Sequence, residues 1–322
     1  MATKFEGLDN NPIVENPNDV STDNHVVDNV TEQQPEQPRT PTDPATIHVN
    51  VSDDRAPIVL LFGASSSGKT MALVRLAKYL KGKGYSLKVD ENFVTSRDVW
   101  EYAENCKGFN KMLGTTTALG GTDRNDFLFI KVIGEHGKLI CQILEGAGED
   151  YFPKNDENRV EAAFPPYMNG VFGTSNKKIW IFMTEPDWKV DLQDKVNYVE
   201  RIQWCMKQHF KERDRAIILY NKIDKKPELL IKSGKVNIKE AMRNCANEYK
   251  FNEEGKSTSI FELFLNPSPL AGIFTRKYLC EFVPFSTGIY SEAPTREGQH
   301  YNVSDPLYPY HLWKTIMDCI KS

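Results

Sequence analysis

A continuous apolar run, Ile58-Val59-Leu60-Leu61-Phe62, ends a long polar leader. Apolar residues without alternation predict a central parallel strand covered on both faces. A short Gly- and Ser-rich stretch follows. Then Met71, Leu73, Val74, Leu76, Ala77 and Leu80 recur at helical spacing and stop at Lys81-Gly82-Lys83-Gly84, a helix C-terminus signal. Segments 127–132 and 139–144 predict two strands about the turn Gly134-Glu135-His136-Gly137, hence a hairpin. The buried run 179–183 precedes an amphipathic helix over 191–210, and 216–220 is a further strand. A helix near 238–249, a strand over 279–284 and a last helix over 311–320 complete the pattern. Alternating strands and helices predict an α/β fold. Its central sheet is expected to be mostly parallel, with helices on both faces and one antiparallel edge strand. Segment 85–121 exceeds what this alternation needs and reads as an insertion, with a helix over 96–113. A lid over a ligand and a packed decoration are both open readings of it.

Composition divides the chain in two. Residues 1–55 are rich in Asn, Asp, Thr, Pro and Gln and hold eleven acids against three bases, a balance of −8. Such a segment cannot bury enough apolar area to offset its ordering entropy, so a disordered acidic tail is expected. Residues 56–322 are read as one folded domain carrying about +4 of the net −4. That charge offers no basic footprint, so no nucleic-acid partner is expected. The six cysteines form no C-x-x-C pair and no Cys/His cluster, which predicts reduced, buried thiols in a cytoplasmic protein. The first residues hold no apolar run and Gly does not follow Met1, so neither a signal peptide nor myristoylation is expected. No stretch approaches the ~20 apolar residues of a membrane helix, so no membrane insertion is expected.

Two motifs carry the chemistry. Gly63-Ala64-Ser65-Ser66-Ser67-Gly68-Lys69-Thr70 fits G-x-x-x-x-G-K-[ST] and lies between the predicted strand and helix. Its backbone N–H groups, those of Ser65, Ser66 and Ser67 included, point into one concavity that suits a phosphate. Lys69 is placed to reach the β and γ phosphates, and the Thr70 hydroxyl to ligate Mg2+. The motif predicts a P-loop NTPase fold. Asn221-Lys222-Ile223-Asp224 follows a later strand. An ionised Asp only accepts hydrogen bonds. Guanine offers adjacent N1–H and N2–H donors where adenine does not. Two charge-assisted bonds of roughly 1.5–3 kcal/mol each discriminate between the bases.

This pair, in this order, resembles the translation-factor and Ras-like class of P-loop GTPases. It is also similar to bacterial GTPase-like domains with a long segment before switch I. The resemblance covers most of 56–322 and implies further roles. Glu145-Gly146-Ala147-Gly148 looks like the Asp-x-x-Gly of switch II, with Gly148 giving its N–H to the γ-phosphate and Glu145 holding Mg2+ through water. Phe285-Ser286-Thr287-Gly288 is similar to the last guanine-contacting loop, where Ser286 orients Asp224 and the backbone N–H groups, Thr287 among them, approach the guanine carbonyl. Asn221 would brace the phosphate loop and Lys222 would lie along the base. The switch I threonine, a Mg2+ ligand, is assigned to Thr122, with Thr115, Thr116 and Thr117 as rivals. The ligands implied are GTP or GDP with Mg2+.

Two departures bear on catalysis. Glu145 stands for the usual Asp, and Glu149 stands where Ras-like members place a water-orienting Gln. A carboxylate beside a charged γ-phosphate opposes the reaction, so slow hydrolysis is expected. Arg97 and Arg124 are read as surface residues, which leaves the missing positive charge to a protein activator or effector. A scaffold that binds GTP without hydrolysing it and an ATP-using P-loop enzyme are the rival readings. His136 and His311 are read as surface residues, and His209 as compensating a helix dipole. Trp180, Trp204 and Trp313 are expected in or near the core, and Asp194, Glu200 and Lys207 on a solvated helix face.

Overall fold

The computed structural model describes residues 40, 42–95, 99–113, 127–154, 156–230, 236–253, 255–265, 279–290, 301–303 and 305–322. The unit Pro41–Ser322 holds every element described.

The apolar run forms strand β1 (Ile58–Phe62), with every residue buried. Helix α1 (Lys69–Gly82) follows, then β2 (Ser86–Val89), α2 (Trp100–Met112), β3 (Leu128–Ile133), β4 (Leu139–Glu145), the one-turn α3 (Gly148–Tyr151) and α4 (Pro166–Gly173). Beyond them come β5 (Lys178–Thr184), α5 (Leu192–His209), β6 (Arg215–Tyr220), α6 (Ile238–Glu248), a hairpin of β7 (Lys250–Glu253) and β8 (Lys256–Ser259), β9 (Cys280–Pro284), a ribbon of β10 (Gly288–Tyr290) and β11 (Tyr301–Val303), and α7 (Leu307–Lys321). Helix α5 is capped by Asp191, whose carboxylate accepts from the Asp194 N–H at 2.6 Å.

Seven strands form the sheet in the order β2-β3-β4-β1-β5-β6-β9. The run β4-β1-β5-β6-β9 is parallel throughout. Only β3 opposes its neighbours. The expected α/β class, with a mostly parallel central sheet, is what the chain adopts. The opposing strand sits one place in from the edge, because the insertion adds β2 outside it. Strand β2 alternates exposed Ser86 and Lys88 with half-buried Leu87 and Val89, as suits an edge with one covered face.

Both faces of the sheet are covered. Val59, Leu61, Ile143 and Ile181 meet Ala72, Leu73 and Leu76 of α1 and Leu312 of α7 around one small cavity. On the other face Phe62 packs on Tyr198 of α5 and on Phe182, and Trp180 on Phe172 of α4. Burying one such side chain contributes about 2 kcal/mol. The insertion is packed over its described residues 85–95 and 99–113: Tyr102, Cys106 and Phe109 recur at helical spacing and are buried, and the Tyr102 hydroxyl donates to the Asp90 carbonyl at 2.6 Å. Five cysteines are buried, Cys280 is half-buried and all six are free.

The folded unit begins earlier than composition predicts. Ile47 is fully buried, and Val49 bridges Val94 of the insertion. The Thr42 N–H and hydroxyl donate to the buried Glu101 of α2 at 2.6 and 2.7 Å. Gln142 and Asn176 both donate to the carbonyls of Asp53 and Ala56. The polar composition of 42–55 concealed this, because the segment is seated by a few apolar side chains, by Thr42 and by backbone carbonyls, while most of its polar side chains stay exposed. The rest of the expected tail lies outside the described residues.

Candidate functional site

The Gly63–Thr70 segment leaves β1 and turns into α1 through Gly68, whose φ of 88° is in the left-handed region that suits glycine. Lys69 is 4% exposed, and its Nζ donates to the Gly63 and Ala64 carbonyls at 3.0 and 3.3 Å. Burial pulls its pKa down to about 8, against the opposing pull of Glu145 and then Asp150. Ser65 is half-buried and Ser66 exposed. Ser67 is buried, and its Oγ has no hydrogen-bond partner among the described residues.

Glu145 ends β4, 1% exposed, and accepts the Thr70 hydroxyl at 2.8 Å. Gly148 opens α3 directly against the loop. A methyl there would lie 2.2 Å from the Ser65 nitrogen, so glycine is required by close approach. Glu149 and Asp150 follow, half-buried, and with Asp156 and Glu157 line an acidic recess beside the turn. Asp150 accepts the Tyr167 hydroxyl at 2.7 Å.

The second motif is fastened to the first. Asn221, fully buried at the end of β6, donates from Nδ2 to the Ser67 carbonyl at 2.9 Å. Lys222 donates to the Ser66 carbonyl at 2.7 Å. Asp224 accepts the Ser286 hydroxyl at 2.5 Å, and Ser286 Oγ in turn accepts the Gly288 N–H at 3.1 Å. Thr287 is buried in the same loop. Tyr308 of α7 packs on Phe285, and burial, with Asp224 nearby, pushes its hydroxyl pKa up.

The structure thus gathers Gly63, Ser65, Ser66, Ser67, Gly68, Lys69, Thr70, Glu145, Gly148, Asn221, Lys222, Asp224 and Ser286 at the carboxyl ends of β1, β4, β6 and β9. Thr122, its rivals Thr115, Thr116 and Thr117, and Arg97 and Arg124 lie outside the described residues. Among the described residues no group of three or more His, Cys, Asp or Glu gathers to hold a metal, and no helix is long and apolar enough to cross a membrane.

No protein-family model matches the chain, and no curated protein matches its sequence. Among solved structures, the chain is similar to the putative nucleolar GTP-binding protein 1 of Plasmodium falciparum, at 12% identity and a TM-score of 0.37 over 85% of this chain and 90% of that one. It is also similar to GDP-bound aIF5B of Aeropyrum pernix, at 16% identity and a TM-score of 0.30 over 73% of this chain and 33% of that one.

Three residues of the neighbourhood were not singled out in the sequence. Glu185, 5% exposed, holds both Lys222 and Lys225 at 2.7 Å. Its signal was faint: it is among the first polar residues after the apolar run of β5. Tyr167 and Arg201 carried no signal beyond helical spacing. His209 sits among the rings of Phe164, Phe172 and Trp204, and burial, then Arg201 and Lys211, lowers its pKa. It stands in the last turn of α5, as expected, and its aromatic packing comes in addition to that place. His136 and His311 are exposed, as expected. Asp194 pairs with Arg159 at 2.6 Å rather than standing free on its helix face.

Proposed function

We propose that the chain binds guanine nucleotides and, with Mg2+, hydrolyses GTP slowly to GDP and phosphate. The observation that carries this reading is Asp224, aligned by Ser286 in a loop tied to the phosphate loop through Asn221 and Lys222. A carboxylate held beside such a loop suits the N1–H and N2–H edge of guanine. The loop N–H groups and Lys69 would take the phosphates, and Ser67 Oγ would gain its missing partner from a phosphate oxygen.

Thr70 and Glu145 place a hydroxyl and a carboxylate together, the hard oxygen donors that suit Mg2+, with phosphate oxygens to complete the shell. The cation, when bound, supplies positive charge against the phosphate oxygens. Water would attack the γ-phosphate in line, while Lys69 and the loop amides stabilise the charge that spreads over its oxygens. Loss of that phosphate would free Gly148 and change the surface offered to a protein effector or activator.

The acidic recess beside Glu149 favours a second reading, a holder of GTP that does not turn it over. Single-turnover assays separate the two: GTP recovered intact after hours selects the holder. Competition binding tests the base. GTP and GDP should displace a labelled guanine nucleotide at least tenfold better than ATP, and equal displacement by ATP overturns the assignment. Asp224→Asn should move preference toward xanthine nucleotides, since an amide donates to the xanthine C2 oxygen. Unchanged guanine selectivity overturns the role of Asp224.

A further inference from the structure

The turn 145–151 is pinned from outside by groups with no part in the nucleotide reading. Tyr167, in the first turn of α4, is fully buried. Its hydroxyl donates to Asp150 Oδ2 at 2.7 Å. It also fills the space beside Gly146, where a methyl would lie 2.7 Å from that oxygen. One hydroxyl therefore spans both halves of the turn. Burial first, then Asp150, raises the Tyr167 pKa well above its ordinary value, so it remains a donor.

The ring of the same residue looks the other way. It stacks on Phe127 with centroids 4.2 Å apart and planes at 14°. Phe127 immediately follows the segment expected to carry the Mg2+ threonine, and it stacks in turn on Tyr102 of α2 at 5.2 Å and 29°. Tyr102 is fixed by its bond to the Asp90 carbonyl and by Phe93 at 6.1 Å. A contiguous stack thus runs from the insertion, past the start of β3, to a carboxylate of the turn. Stacked rings transmit displacement because close-packed side chains cannot be compressed.

We propose that Tyr167 is a positioning residue for the turn 145–151, and that its ring makes the setting of that turn depend on how the insertion helix α2 is seated. The functional half rests on the GTP reading above, in which this turn senses the γ-phosphate. Whatever moves α2, a bound partner included, would then alter the preference for GTP over GDP without touching either nucleotide.

Two measurements test this. The first is hydrogen exchange of the nucleotide-free chain, which needs no ligand. The amides of Asp150 and Phe152 donate within the turn, to Ala147 and Gly148. Tyr167→Phe removes the hydroxyl alone and should speed their exchange about tenfold, with β1, β5 and β6 unchanged. Tyr102→Leu should speed the same two amides, and the double variant should fall short of the product of the two effects. Unchanged amides in Tyr167→Phe, acceleration spread equally over the sheet, or strictly independent effects overturn the proposal. The second is the ratio of GTP-analogue to GDP affinity. Tyr167→Phe should shift it about fivefold with GDP affinity held within twofold. An unshifted ratio, or equal loss of both nucleotides, overturns the functional half. A wild-type chain that binds neither nucleotide refutes the guanine reading and this functional half with it, while exchange still decides whether Tyr167 positions the turn.

Discussion

Lys69 is a cation where water barely reaches. Its two carbonyl acceptors and the nearby carboxylates do not offset its lost hydration, so its pKa falls from 10.5 to about 8. Between those values the unfolded chain binds more protons than the folded one, so stability rises with pH across the window. The contribution is complete above about pH 10.5 and lost as pH falls through about 8. Below that the charged lysine is held at a cost on the order of 3 kcal/mol. Lys69→Met should therefore raise the melting temperature of the nucleotide-free protein near neutral pH, with the gain vanishing toward about pH 10. The same variant should abolish stabilisation by added GTP. Thermal melts across pH, with and without nucleotide, check both. A variant that melts lower than wild type at neutral pH contradicts the cost assigned to the buried charge.

Elements meet at Arg201, a fully buried residue of α5. Its guanidinium lies over the Phe164 ring at 4.1 Å and the Trp204 ring at 4.7 Å. It donates to the carbonyls of Tyr151 at the end of α3, and of Val160 and Ala162 before α4. One side chain thus satisfies backbone acceptors of two segments that form no ladder of their own. Burial lowers its pKa to about 10, still far above neutrality, so the charge is kept. Arg201→Met keeps much of the apolar stem and strands three acceptors, at about 1–3 kcal/mol for each one left buried. The expected loss is at least about 3 kcal/mol, read as a lower urea midpoint with an unchanged slope. Exchange at the Phe152 amide should rise beyond the global change, because the α3 end is the part released.

For the whole molecule, the segment 42–55 closes a seam that the insertion created. It lies against α2 through Thr42 and Glu101, against Val94 through Val49, and beneath Gln142 and Asn176 through the carbonyl of Asp53. A chain beginning at residue 56 loses all of these and leaves Glu101 without its Thr42 donors, whereas one beginning at Pro41 keeps them. The shorter chain should melt roughly 10 °C lower, and the longer within about 2 °C of the full chain. Equal melting of the two would show that the segment adds nothing. This boundary marks where the sequence stopped being legible. Strands such as 58–62 and 216–220, helices such as 191–210, and the spacing of Gly63, Gly68, Lys69 and Asp224 are local patterns, in which each position constrains its neighbours along the chain. Those the sequence by itself determined: the α/β class, the place of the Gly63–Thr70 segment between β1 and α1, and the ends of the strands as the place to look. Tyr167 against Asp150, Glu185 between two lysines, Arg201 under α3, and the early start of the domain were decided only by the tertiary structure. Each joins positions far apart in sequence, and nothing in the local pattern of a tyrosine, an acid or an arginine states which distant carbonyl, ring or charge the folded chain brings to it.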